Sequence, residues 1–344
     1  MNSRIACWLA LALVGLSATT AVALEPNWGD WAESARKGHP LAGDYYAVTP
    51  LVGGPGHGRY PPGHQGPALR KDPEQRPYVV LLGEVHDNAD HHQVRAWLIA
   101  NTAKMHPDWH PAIVFEQIRA ERQDTLDTFN AQVQAGDPTA TADELLRLLN
   151  WDKSGWPPAQ IYKPLFVAAI AAKLPIYAGD PPRDALRSVA KGDMGLLPPE
   201  ERTRLRLDRE LPEPLRAALG KELAESHCGA LPPQAADGMV AAQRYHDARL
   251  ADAVLAAAER HGSAILIAGN GHVRSDRGVP WHIRERAPQA KVASIMLLEV
   301  EADKTDPDTY VPRDPEGDPA VDVVIFTPRA ERDDPCQSFL KKKG

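Results

Sequence analysis

The sequence predicts an α/β protein with a mainly parallel (mixed) sheet flanked by helices and a helical cap region. Two observations carry this reading. Short, continuous apolar runs at Tyr78 to Leu82, Ala112 to Phe115 and Ala264 to Ala268 read as strands buried on both faces. Helical sequence separates them, and strand-helix-strand order is the signature of a parallel sheet.

The first residues are a separate element. One positive charge, Arg4, precedes an apolar run from Ile5 to about Leu16, followed by small residues ending Ala21-Val22-Ala23. That order predicts a secretory signal peptide, residues 1–23, cleaved near Ala23. The run is shorter than the roughly 20 apolar residues of a bilayer span, so no transmembrane segment is expected and the product is periplasmic or secreted. Residues 24–344 are read as a single α/β domain.

Along that domain, residues 24–48 form an opening segment with Trp28 and Trp31. The Gly- and Pro-rich stretch from Leu51 to Tyr78 is predicted to be a long surface loop. After the first strand, a helix is expected from Ala89 to about Lys104. The second strand ends at Glu116 and leads into charged helical sequence through Phe129. Helical patterns return at Ala142 to Leu149 and Ile161 to Lys173, then Leu174 to Ala178 forms a third strand with Pro175 at its start. Short helices broken by prolines fill Asp184 to Arg260, the last and longest from Met239. After the fourth strand, Val292 to Val300 and Val321 to Phe326 add two more, separated by an acidic loop from Glu301 to Pro319. Residues 120–240 are expected to form the cap.

The net charge is −7, and loss of Arg4 with the signal peptide makes it more negative still. Such a surface repels a phosphate backbone, so nucleic acid is not an expected partner. Two of the three cysteines, Cys228 and Cys336, lie beyond the signal peptide, and an exported compartment favours their pairing. The rival reading is a nucleophilic thiol at Cys228.

The chemistry concentrates at strand ends. In Leu82-Gly83-Glu84-Val85-His86-Asp87-Asn88 a carboxylate and an imidazole sit two residues apart, on one side of extended backbone. Asn88 is a helix N-cap candidate, with His91 and His92 in the turn that follows. The fourth strand ends in Gly269-Asn270-Gly271-His272, a second Gly-x-x-His turn. Open α/β sheets bind ligands beyond the carboxyl ends of their strands, which predicts one site shared by Glu84, His86, Glu116 and His272. Hydrogen-bonded structural roles are the alternative for His91 and His92, and ion pairing with Arg95 or Arg119 for the two glutamates. Arg183 and Arg274 follow strand ends and are candidates to clamp an anion. Trp151, Trp156 and Tyr162 would wall a flat ligand or pack in the core. No Gly-x-Ser-x-Gly elbow, phosphate loop or His-Glu-x-x-His helix is present.

Taken in order, Leu81 to Asn88 with His91-His92, Phe115-Glu116, and Ala268 to Arg274 with Gly278-Val279-Pro280 resemble the ChaN family, the haem-binding uptake branch of the Tiki superfamily. The resemblance implies an exported bacterial protein of haem or iron uptake, with a ligand pocket between an α/β core and a helical side. It implies haem as the cofactor, with His86, His91, His92, Tyr162, Arg183, Asn270, His272 and Arg274 as candidate contacts. It also places Gln243 and Asp247 near the site and adds support to the Cys228–Cys336 pairing. Hydrolytic relatives imply the alternative of a metal-dependent esterase or peptidase, in which Glu84, His86, Glu116 and His272 hold a divalent ion and a glutamate activates water. The chain departs from the family pattern at His246, where members often carry arginine, and in lacking a lipidation cysteine. Beyond a small-molecule or haem ligand, a homodimer and an outer-membrane uptake partner stay open, with no residues pointing to either.

Overall fold

The computed structural model describes residues 28–49, 56–61, 77–229, 233–334 and 336. The predicted signal peptide lies outside them. The elements are α1 (Trp28–Arg36), β1 (Tyr45–Ala47), β2 (Gly58–Tyr60), β3 (Tyr78–Leu82), α2 (Ala89–Met105), β4 (Ala112–Arg119), α3 (Gln123–Ala135), α4 (Ala142–Leu148), α5 (Ala159–Ala171), β5 (Ile176–Asp180), α6 (Arg183–Ala190), α7 (Pro199–Arg204), α8 (Glu213–Ser226), α9 (Pro233–His261), β6 (Ser263–Ile267), α10 (Val279–Arg286), β7 (Lys291–Glu299) and β8 (Val323–Thr327).

The eight strands form one sheet in the order β2-β1-β8-β7-β3-β6-β4-β5. From β8 to β5 every pairing is parallel, while β1 and β2 add an antiparallel edge. The sheet is therefore mixed and mostly parallel, as the apolar runs predict.

Strand alternation divides the core into two layers. Val80, Leu82, Ile113, Phe115, Ile265 and Ile267 face α2 and α5, whose Val94, Leu98, Leu165 and Phe166 cover them. Val79, Leu81, Val114, Ala264 and Leu266 face the other way, onto Leu250, Ala251, Val254 and Ala258 of α9 and Val279 and Ile283 of α10. Both faces of each central strand are dry, which is why these strands read as unbroken apolar runs instead of alternating ones.

Two features differ from the sequence reading. The opening segment and the Gly/Pro stretch each contribute a short strand, β1 and β2, paired Tyr45 to Tyr60 with stacked rings. A three-residue strand next to glycine and proline has too little pattern to be seen in sequence, and only pairing along β8 fixes it. The rest of that stretch lies outside the described residues. Helix α10 is also additional, because eight residues with Pro280 near their start and Arg284-Glu285-Arg286 at their end leave no readable apolar period. Cys228 and Cys336 form a disulfide with Cα atoms 5.5 Å apart.

Candidate functional site

Three neighbouring strands, β3, β6 and β4, bring their carboxyl ends together, and each delivers one part of the site. Gly83 lets the end of β3 pass the turn after β6, since a Cβ there would stand 2.3 Å from Asn270 Oδ1 and 2.7 Å from Val273 Cγ2. A hydrogen bond from Asn270 N to the Glu84 carbonyl, 2.9 Å, ties the two turns together.

On the α2 and α5 side, Glu84 is buried and saturated. Arg95 pairs with its Oε2, while Gln117 Nε2 and the Tyr162 hydroxyl donate to Oε1, each at 3.0 Å. His92 Nε2 lies 3.2 Å from Oε2, and His86 Nδ1 lies 2.8 Å from Oε1. Burial alone would raise the Glu84 carboxyl, but Arg95 and the two histidines outweigh it and bring its pKa down to about 2. His86 gains in return: burial opposes its charge, yet Glu84 and Glu116 raise its pKa. Its side chain remains 40% exposed, with the edge of Trp156 against the ring at 4.8 Å between centroids. Among the described residues Nε2 of His86 makes no hydrogen bond.

On the α9 side, His272 is held between two carboxylates. Its Nδ1 lies 2.7 Å from Asp247 Oδ1 and its Nε2 lies 3.3 Å from Glu116 Oε1. Burial disfavours the imidazolium, but the two acids hold its pKa well above the ordinary value. Burial in turn raises Asp247, whereas Glu116 is held low against burial by His272, His86 and His246. The three groups lie in one chain of contacts, so the charge of each depends on the others. Glu116 Oε2 also accepts from Gly269 N at 2.7 Å. Gln243, His246 and Asp247 stand at i, i+3 and i+4, one face of α9.

The two halves meet at Gly269. A Cβ added there would lie 3.0 Å from Cε1 and 3.1 Å from Nε2 of His86, and 3.8 Å from Glu116 Oε2. The missing side chain is what lets the His86 ring approach the second acid-base cluster.

The remaining sequence candidates fall into other roles. His91 is buried: its Nδ1 accepts from Val85 N at 2.8 Å and its Nε2 meets Thr327 Oγ1 at 2.7 Å. His92 is buried as well, accepting from Arg95 through Nδ1 at 2.8 Å while Nε2 donates to the His86 carbonyl at 2.9 Å. Both imidazoles are thereby occupied at each nitrogen. Tyr162 is fully buried with its hydroxyl on Glu84. Asn270 donates to the Leu297 carbonyl. Arg274 makes a bidentate pair with Asp276. Arg183 is exposed at the start of α6, where it forms no contact with the cluster among the described residues.

The basic side chains grouped around Trp156, the ring that meets His86, are different ones. Arg119, Arg122 and Lys153 line a cavity of about 250 Å³ with Trp151, Trp156 and Gln117, and no carboxylate lines it. Arg119, considered in the sequence only as an ion-pair partner of the glutamates, ends β4 and lies 3.8 Å from Asp180 instead, while Arg122 and Lys153 follow β4 and α4 away from any motif. Gln117 had a signal: it follows Glu116 in a strand, so it must face the opposite side, where Glu84 sits.

An α/β protein with paired carboxylate-histidine clusters across the strand ends is the class that fold and site define. The chain belongs to the family described as haem-binding uptake, Tiki superfamily, ChaN, whose model matches residues 75–283, more than half of the sequence. Among solved structures it is similar to ChaN of Campylobacter jejuni, which binds haem cofacially, with 20% identity, TM-score 0.53, and coverage of 72% of this chain and 86% of that one. The type III effector HopBA1 gives 11% identity, TM-score 0.36 and coverage of 74% and 88%. A mutant erythromycin esterase, EreC, in its open conformation gives 17%, 0.34, and 77% and 79%. No curated protein sequence matches the chain. No helix among the described residues is long and apolar enough to cross a membrane.

Proposed function

We propose that the chain is an exported haem-binding protein of haem or iron uptake, with haem held against the crevice formed by His86, Trp156 and the neighbouring basic cavity. One observation carries the reading: His86 is half exposed, its Nδ1 is tied to a buried carboxylate, and its Nε2 carries no hydrogen bond among the described residues. A carboxylate on Nδ1 fixes ring orientation and strengthens the other nitrogen as a donor to iron. Trp156 offers an aromatic wall, and Arg119, Arg122 and Lys153 offer cations for carboxylates at a porphyrin edge. The residues present therefore suit the group.

Export is supported by the apolar run from Ile5 and the small residues up to Ala23, and by a disulfide of the kind oxidising compartments keep. N-terminal sequencing of the exported product is expected to begin at Leu24. A homodimer and an outer-membrane partner have no support among the described residues and form no part of the proposal.

Haemin titration of purified mature protein, followed by its Soret band, tests the reading. Saturable one-to-one binding is expected, weakened about tenfold or more in His86→Ala and in Arg122→Glu. Equal, non-saturating uptake by all three proteins would remove it.

A second reading rests on the two carboxylate-histidine pairs meeting at Gly269: hydrolysis of an ester or amide, with His86 as general base aligned by Glu84. Turnover of ester or peptide libraries that disappears in His86→Ala, with haemin uptake non-specific, would put this reading first.

A further inference from the structure

We propose that a second ligand site lies at the carboxyl ends of β7 and β8 and takes a small zwitterion, a free amino acid or a short peptide, by its carboxylate and its ammonium group. This goes beyond the haem reading and does not depend on it. A cavity of about 600 Å³ opens there between the turn after α1, which brings Gly38 and His39, the turn after β7, Val300 to Lys304, and Pro328 and Arg329 after β8. Strands β7 and β8 run parallel to β3, so the cavity stands on the same sheet edge as His86, the edge at which open α/β sheets bind ligands.

Its walls are fixed by the chain's own bonds. Gly43 N donates to the Phe326 carbonyl at 2.9 Å and Phe326 N donates to the Asp44 carbonyl at 3.0 Å, which moors the turn after α1 to β8. The Tyr310 hydroxyl accepts from Glu301 N at 2.8 Å and donates to the Lys304 carbonyl at 2.9 Å, which holds the turn after β7 closed. The buried polar member of the lining is His39, 7% exposed. Its Nδ1 accepts from Leu41 N at 3.2 Å, so the ring proton sits on Nε2, and that N–H is buried with no hydrogen-bond partner among the described residues. A buried donor left unpaired is an exception in folded proteins, and an oxygen acceptor would satisfy it. Lys304 and Glu301 neutralise each other at 2.7 Å. The other two charged side chains of the lining, Arg329 and Asp303, are exposed and pair neither with each other nor with another side chain among the described residues. A carboxylate suits the His39 N–H and the Arg329 guanidinium together, an ammonium suits Asp303, and Ala35, Ala42, Val300 and Pro328 wall an aliphatic body. A ligand of one charge sign would leave either Arg329 or Asp303 opposed by a like charge.

Equilibrium dialysis of purified mature protein against radiolabelled L-leucine and glycyl-L-leucine is expected to show saturable one-to-one binding of at least one of them, and the tighter of the two identifies free amino acid or peptide as the source. N-acetyl-L-leucinamide, the same body without either charge, is expected not to compete. Arg329→Glu and Asp303→Lys, both at exposed positions that leave folding intact, should each weaken binding about tenfold or more, as should His39→Phe, which removes the buried donor. No saturable binding of either probe, full competition by the uncharged analogue, or unchanged affinity in any folded variant overturns the proposal. Should His39→Phe misfold by circular dichroism, the two exposed variants decide. Haemin titration of the wild type is scored separately, so either reading fails without the other.

Discussion

Glu84 and His86, two positions apart at the end of one strand, share a 2.8 Å contact between Oε1 and Nδ1, although the carboxylate is buried and the imidazole is 40% exposed. The pair therefore connects the interior to the crevice. Inside, the charge of Glu84 is set against Arg95, itself fully buried.

That burial makes Glu84 a structural keystone. Glu84→Gln is expected to lower unfolding free energy by about 3–5 kcal/mol, because it leaves Arg95 without a counter-charge. A Glu84→Gln/Arg95→Met double variant should recover much of the loss. Urea unfolding measures both, and a double variant no more stable than the single would contradict the pairing argument.

Glycines 269 and 278 separate function from stability. At Gly269 the added methyl of alanine meets a half-exposed ring that can shift, so the expected cost is about 1 kcal/mol while ligand binding at the crevice falls sharply. At Gly278 a Cβ would stand 2.4 Å from the His272 carbonyl oxygen, which is backbone, and a cost near 3 kcal/mol is expected. Melting curves of the two alanine variants should differ in that order; equal losses would show that the Gly269 space is not a ligand space.

Acid sensitivity follows from His91 and His92. Burial lowers their pKa values to about 3 and about 4 from an ordinary 6.5. Their stabilising effect is complete above pH 6.5 and is lost as pH falls from there toward 4, because the unfolded chain takes up protons that the folded one refuses. Glu84 adds a second loss between about 4.5 and 2. His86 and His272, raised instead, act in the opposite sense: their contribution is complete below 6.5 and is lost as pH rises through their folded values. His282, which burial lowers to about 3, adds to the same window, so the urea midpoint should decline from pH 6.5 to 4, and a flat profile there would mean that these three imidazoles are not held neutral.

Reduction of Cys228–Cys336 opens a loop of 108 residues in sequence separation that runs from the end of α8 to the C-terminal segment. A loss of about 2–4 kcal/mol is expected. Thiol titration under native and unfolding conditions, with melting curves in each redox state, checks it.

The parallel core and the two turns were legible in the sequence because the cause is local. A strand buried on both faces must be apolar throughout, and a tight approach of backbones must use glycine, so Tyr78 to Gly83 and Ala264 to Gly271 declare themselves. The convergence of Glu84, His86, Glu116 and His272 followed from strand ends in a parallel sheet. What each side chain does there was not legible. Arg95, Gln117 and Tyr162 close around Glu84 from α2, β4 and α5, while His246 and Asp247 reach His272 from a helix about 25 residues before it. Hydrogen-bond saturation depends on which atoms arrive from distant segments, and only tertiary packing sets that. It decided that His91, His92 and Tyr162 are occupied, that His86 is open, and that His246 belongs to the cluster.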